Sequence, residues 1–88
     1  PSMKSSTTPD FWAAFASLPP DIKARAKVVY RLWQHNPRHP SLQFKKTGTV
    51  WSVRIGAGYR ALAVLEDATL HWFWIGTHDE YERLLGLR

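Results

Sequence analysis

The hydrophobic period of this chain first changes at "HNPRHP", His35 to Pro40. Before that stretch the apolar residues recur at helical spacing, and after it they alternate. The two prolines remove backbone donors and push their neighbours into extended conformations, so neither pattern runs into the other. Helices that precede strands in this way predict an α+β domain. Two N-terminal helices pack on one face of a small antiparallel sheet of three or four strands, and a short helix closes the chain.

Local signals set the element ends. Thr8, Pro9 and Asp10 make a helix start, with Thr as N-cap, Pro at the first position and an acid near the positive end of the dipole. Phe11, Ala14, Phe15 and Leu18 then form one apolar stripe, and Pro19-Pro20 ends it. The second helix is expected from about Asp21 to His35, with Ile22, Ala26, Val29 and Trp33 facing the core. Lys23, Lys27 and Arg31 follow at fourfold spacing on its outward side, which is ordinary helix surface. From Leu42 the period is two: Leu42 and Phe44 alternate with Gln43 and Lys45, and Thr47-Gly48 turns. In "VWSVRI" Trp51, Val53 and Ile55 face one way while Ser52 and Arg54 face the other. "GAG", Gly56 to Gly58, leads into "YRALAVL", and Glu66-Asp67 turns back into "LHWFWI", a three-stranded meander. Thr77-His78-Asp79-Glu80 fits a capping box and starts a terminal helix carrying Tyr81, Leu84 and Leu85. Lys4 to Thr7 is either a short edge strand or a disordered end.

At 88 residues the chain makes one domain, residues 1–88, with Pro1-Ser2 ahead of Met3 read as an appended pair. It has no cysteine, so disulfides and thiolate metal sites are excluded, and a reducing, cytoplasmic setting is the natural expectation. No apolar run reaches the ~20 residues of a membrane span, and the N-terminus has no signal-peptide layout. No zinc spacing, Gly-rich phosphate loop or Ser-His-Asp pattern is present, and no metal or cofactor is expected. The net charge of +5 is unevenly spread. Between Ile22 and Leu65 stand Lys23, Arg25, Lys27, Arg31, Arg38, Lys45, Lys46, Arg54 and Arg60, with no carboxylate. Such a block either attracts a polyanion or an acidic protein, or is a solvated basic face.

Alternation also brings Arg60 to one face of the meander, where an antiparallel hairpin sets it beside Arg54. Two such neighbours repel unless an anion lies between them, which makes them a candidate phosphate clamp; separate pairing with Glu66, Asp67 or a terminal acid is the alternative. His78, just past the end of the next strand, approaches the same region. His35 and His39 read as exposed or loop-capping, His71 as a sheet-face histidine with a partner, and Trp33, Trp51, Trp72 and Trp74 as core.

From Phe11 to Leu85 the chain resembles the RelE/ParE superfamily of toxins from type II toxin–antitoxin modules. The resemblance rests on "SLPPDI" between two helices, on "LQFKKTGTVWSVRIGAGYRAL" against the family's Leu-Lys…Trp-x-x-Arg-x-Gly…Tyr-Arg pattern, and on "WIGTHDEY", where the family ends a strand in Gly-x-Arg or Gly-His. It implies a cognate antitoxin as partner and one of two activities: cleavage of messenger RNA on the ribosome, or poisoning of DNA gyrase. Carried over residue by residue, it implies catalytic roles for Arg54, Arg60 and His78, with His78 exchanging protons near neutral pH and the arginines steadying the phosphate. It implies RNA contacts at Lys45, Lys46, Ser52 and Tyr81. Ser52 falls where some members carry lysine, and Tyr81 is near, not at, a terminal tyrosine of others. A ribosome-dependent mRNA endonuclease is the first expectation; a gyrase-directed or non-catalytic member is the second. The second and third strands of the meander, Tyr59 to Leu65 and Leu70 to Ile75, hold no Glu or Asp to act as base, so His78 serves as base and acid, or the site is slow, or catalysis is lost.

Overall fold

A computed structural model describes residues 4–86. The order is β1 (Lys4–Thr7), α1 (Pro9–Ala16), α2 (Pro20–His35), a 3-10 turn (Pro40–Leu42), β2 (Lys45–Thr47), β3 (Val50–Arg54), β4 (Tyr59–Glu66), β5 (Thr69–Thr77) and α3 (His78–Leu84). The strands form one sheet in the order β1-β5-β4-β3-β2. The sheet therefore has five strands and is mixed, where three or four antiparallel strands were expected. The added strand is β1, which runs parallel to β5 from Lys4 opposite Thr69 to Thr7 opposite Trp72. Its hold is local: Ser6 Oγ lies 2.7 Å from His71 Nδ1, and Thr8 N donates to Trp72 O at 3.1 Å.

Thr8 caps α1 by accepting from Phe11 N at 3.2 Å, with Pro9 at the first turn. On α2 the predicted stripe holds, with Ala26, Val29 and Trp33 buried. Trp33 sits at the centre of the helix–sheet interface, edge-on to Trp72 at 5.4 Å and to Phe44 at 5.9 Å. Val53, Ile55, Ala61, Ala63, Leu70 and Ile75 complete that face of the sheet.

Two departures from simple alternation matter. The strand expected from Leu42 starts at Lys45. His39 Nδ1 accepts from Ser41 N at 3.2 Å and caps the 3-10 turn, so Leu42 drops into the core, and Gln43 follows in the left-handed region at φ 44°. On β5 the register shifts between Leu62 and Ala63: Leu62 faces Trp74 but Ala63 faces Trp72, leaving Phe73 as an extra residue. The bulge carries Trp74 to the side of the sheet opposite Trp72. Trp74 is therefore half-buried rather than core, and its ring lies where a Cβ on Gly76 would sit 2.4 Å from it. Trp51 is also half-buried, while Trp33 and Trp72 are the buried pair. Among the described residues no helix is long and apolar enough to cross a membrane.

Candidate functional site

The site lies on the face of the sheet turned away from α1 and α2. Residues directly opposite in an antiparallel pair share a face. Ser52 stands opposite both Lys45 and Leu62, and Arg54 stands opposite Arg60. Lys45, Ser52, Arg54 and Arg60 therefore face the same way. Lys46 stands opposite Trp51, in the other phase, so it does not join them.

Arg60 is 3 % exposed, an unusual depth for a guanidinium. One nitrogen, Nη2, donates to Gln43 O at 3.0 Å and to Ser52 Oγ at 2.9 Å, and Nη1 reaches Gln43 Oε1 at 3.4 Å. The Arg60 Cζ lies 5.0 Å from the centre of the Tyr81 ring. Burial lowers the pKa of Arg60; the nearby Tyr81 hydroxyl opposes that shift and Arg54 adds to it. The group stays charged, because a guanidinium is not deprotonated inside proteins. Its Nε and the Tyr81 hydroxyl are buried without hydrogen-bond partners.

That arrangement assigns roles unlike those read from the sequence. Arg60 is a pillar tying the Gln43 bend, β3 and α3 together, and Ser52, 1 % exposed, is spent on holding it. Tyr81, also 1 % exposed, lies beneath the surface instead of on it. Arg54 is half-buried and faces outward beside Arg60. Among the described residues the ion pair that forms is His78 with Glu82, so neither arginine has a carboxylate in salt-bridge reach.

His78 is placed by two features. The capping box forms, with Thr77 Oγ1 accepting from Glu80 N at 3.2 Å and Glu80 Oε1 accepting from Thr77 N at 3.3 Å, and this starts α3 at His78. His78 N then donates to Gly58 O at 2.7 Å, which pins the helix start to the β3–β4 turn. The imidazole is 49 % exposed; its Nε2 lies 3.8 Å from Glu82 Oε2, and its ring centre is 5.4 Å from that of Tyr81. Tyr81 thus touches Arg60 on one side and His78 on the other.

Two contributors were missed in the sequence. Glu82 supplies a carboxylate beside the histidine, and its spacing of four from His78 on a predicted helix was the available signal. Gln43 had none, since nothing in its neighbours announces a left-handed glutamine. The remaining histidines have the bland roles expected: His39 caps a turn, His71 holds Ser6, and His35 ends α2 exposed. No group of three or more metal-ligating side chains occurs among the described residues.

The family model for the ParE-like toxin domain matches residues 20–83. The chain belongs to that family, within the RelE/ParE toxins of type II toxin–antitoxin systems. The match takes in every site residue of this ParE-like domain from Gln43 to Glu82, and leaves β1 and α1 outside. Similar solved structures include the Escherichia coli toxin RelE, as a double arginine-to-alanine variant in the free state, at TM-score 0.67 and 12 % identity over 93 % of this chain and 90 % of that one. The RelB–RelE complex of Methanococcus jannaschii aligns at TM-score 0.69 and 16 % identity, covering 89 % and 95 %. A YoeB/ParE toxin from Agrobacterium tumefaciens aligns at 0.66 and 16 %, covering 86 % and 99 %. At such identities the likeness is one of fold. No curated protein matches the chain.

Proposed function

We propose that this toxin is a ribosome-dependent mRNA endonuclease whose working groups are Arg54 and His78, with Arg60 as their support. One observation carries the reading: Arg54 and Arg60 stand directly opposite each other and, among the described residues, no carboxylate lies in salt-bridge reach of either. Like charges so placed oppose folding unless the site is meant for an anion, and a phosphodiester is an anion of the right shape for a guanidinium.

RNA cleavage by its own 2′-hydroxyl needs a proton acceptor, charge stabilisation at phosphorus and a proton for the leaving oxygen. His78 accepts the 2′ proton. The 2′-oxygen bonds to phosphorus, the bond to the 5′-oxygen breaks, and the imidazolium returns the proton to that oxygen. The products are a 2′,3′-cyclic phosphate and a 5′-hydroxyl. Glu82, its Oε2 3.8 Å from His78 Nε2, orients the ring. Arg54 meets the phosphate, and Lys45 on the same face holds a flanking one in a sequence-blind way. With so few reacting groups, the ribosome has to supply the geometry of the message. The cognate antitoxin is the second partner: RelB–RelE complexes exist for similar folds, and a partner covering the basic face would silence the site.

A second reading, a gyrase-directed or non-catalytic toxin, draws support from the burial of Arg60, which leaves one guanidinium instead of two for the phosphate. The test is cleavage of ribosome-bound message by purified protein. Cutting that is lost in Arg54→Ala and His78→Ala supports the endonuclease. Intact message together with blocked gyrase supercoiling supports the second reading.

A further inference from the structure

We propose that the cavity between α1 and α2 is a binding site for a small aromatic carboxylate. It lies on the helix side of the sheet, away from Arg54 and His78, so the proposal does not rest on the ribosomal reading.

The cavity has a volume of about 250 Å³. Its floor is the core face of the sheet, at Val53, Ala61 and Ile75, and its rim carries the exposed side chains of Trp12, Lys27 and Tyr30. An apolar cavity of about 150 Å³ stays dry and takes benzene, so by proportion this one takes a guest of roughly ten non-hydrogen atoms. The wall supplied by α1 is unfinished. That helix reads PDFWAAFA, yet none of its residues is buried and Trp12 is 51 % exposed. A short helix draws most of its stability from packing an apolar face, and a guest held against Phe11 and Phe15 completes the packing that α1 lacks. The family-model match begins at residue 20, so this wall lies outside the matched residues.

Two features set the chemistry of the guest. The walls are rich in rings, with Phe11 and Phe15 from α1 facing Trp33 of α2 and Trp72 of β5. Such a slot favours another ring, in edge or offset contact. The polar groups favour an anionic acceptor. Trp33 and Trp72 both line the cavity and meet edge-on at 5.4 Å, and the indole N–H of each is buried with no acceptor among the described residues. Lys27 adds an ammonium at the rim, and no Asp or Glu lines the cavity among the described residues. A carboxylate offers an acceptor to the indole donors and a counter-charge to Lys27 in one group. A whole helix, ~10 Å across with its side chains, does not fit a space of this size.

The experiment uses 3-phenylpropionate as probe and 3-phenylpropan-1-ol as its neutral match. Each is titrated into the purified chain by calorimetry and by tryptophan fluorescence. The acid should bind saturably, raise the melting temperature as its concentration passes Kd, and bind roughly tenfold more tightly than the alcohol. Lys27→Gln changes an exposed side chain, so it should fold as wild type does and bring acid and alcohol to equal affinity. Ala26→Leu fills the cavity from its α2 wall and should remove binding of both. Should that variant fail to fold, Lys27→Gln still decides. Non-saturating binding, equal affinities for acid and alcohol in wild type, or a preference that survives Lys27→Gln overturns the proposal, as does a folded Ala26→Leu protein that keeps the probe. If neither probe binds and Ala26→Leu instead weakens antitoxin binding, the cavity seats a side chain of that protein and the proposal fails.

Discussion

At the scale of single residues, Arg54 and Arg60, equals in the sequence, differ in the fold: Arg60 is buried and Arg54 faces outward. Arg54→Ala should fold normally and lose roughly tenfold to a thousandfold in cleavage rate, the range for removing a group that steadies developing charge. Arg60→Ala should lose activity by another route. It leaves Ser52 and Gln43 without their donor and is expected to cost about 2–4 kcal/mol, visible as an earlier urea midpoint. Arg60→Lys should restore little, because an ammonium cannot reproduce the planar set of contacts. His78→Ala should abolish toxicity with a melt close to wild type, since the side chain is half-exposed. Alternation alone gave the shared face of Arg54 and Arg60, and the capping box gave the position of His78. The depth of Arg60 was not legible, because it depends on a left-handed Gln43 whose carbonyl turns inward. Tyr81 misled for a related reason: its place in α3 was predicted, but its burial follows from what α3 packs against. Its hydroxyl makes no well-formed hydrogen bond but lies beside Arg60 and favours the charged guanidinium, so Tyr81→Phe should cost no more than about 1 kcal/mol by thermal melt.

Among the elements, the helices and the meander were written locally, in caps, prolines and period, and they formed with ends within a residue or two of expectation. The first strand was not, since four polar residues carry no apolar alternation and take their strand form from β5. The bulge at Phe73 was equally hidden. One extra residue in a run of aromatics leaves the pattern apolar while moving Trp74 to the other face. These differences have measurable consequences. Trp72→Ala should cost ~3–5 kcal/mol, the range for a buried aromatic, and half-buried Trp74→Ala distinctly less. Gly76→Ala drives a Cβ into the Trp74 ring and should cost ~1–3 kcal/mol, while Gly48→Ala, with open space around it, should suffer only from its positive φ. Urea titrations of the four variants order these claims.

For the whole molecule, the segregation of charge is what links the fold to a function. The sheet separates the helix layer from a far face carrying Lys45, Arg54 and Arg60, and among the described residues neither arginine has a carboxylate in salt-bridge reach. Family membership accounts for the fold and for a toxin's place in a two-component system. The chemistry on the far face is this account's own claim. It is tested most directly by adding the purified toxin to ribosomes halted on a defined message and mapping the ends produced. The account predicts cuts by wild type, no cuts by Arg54→Ala or His78→Ala at unchanged folding, and intact message when ribosomes are omitted. Cuts of equal rate by folded Arg54→Ala and His78→Ala proteins would contradict it.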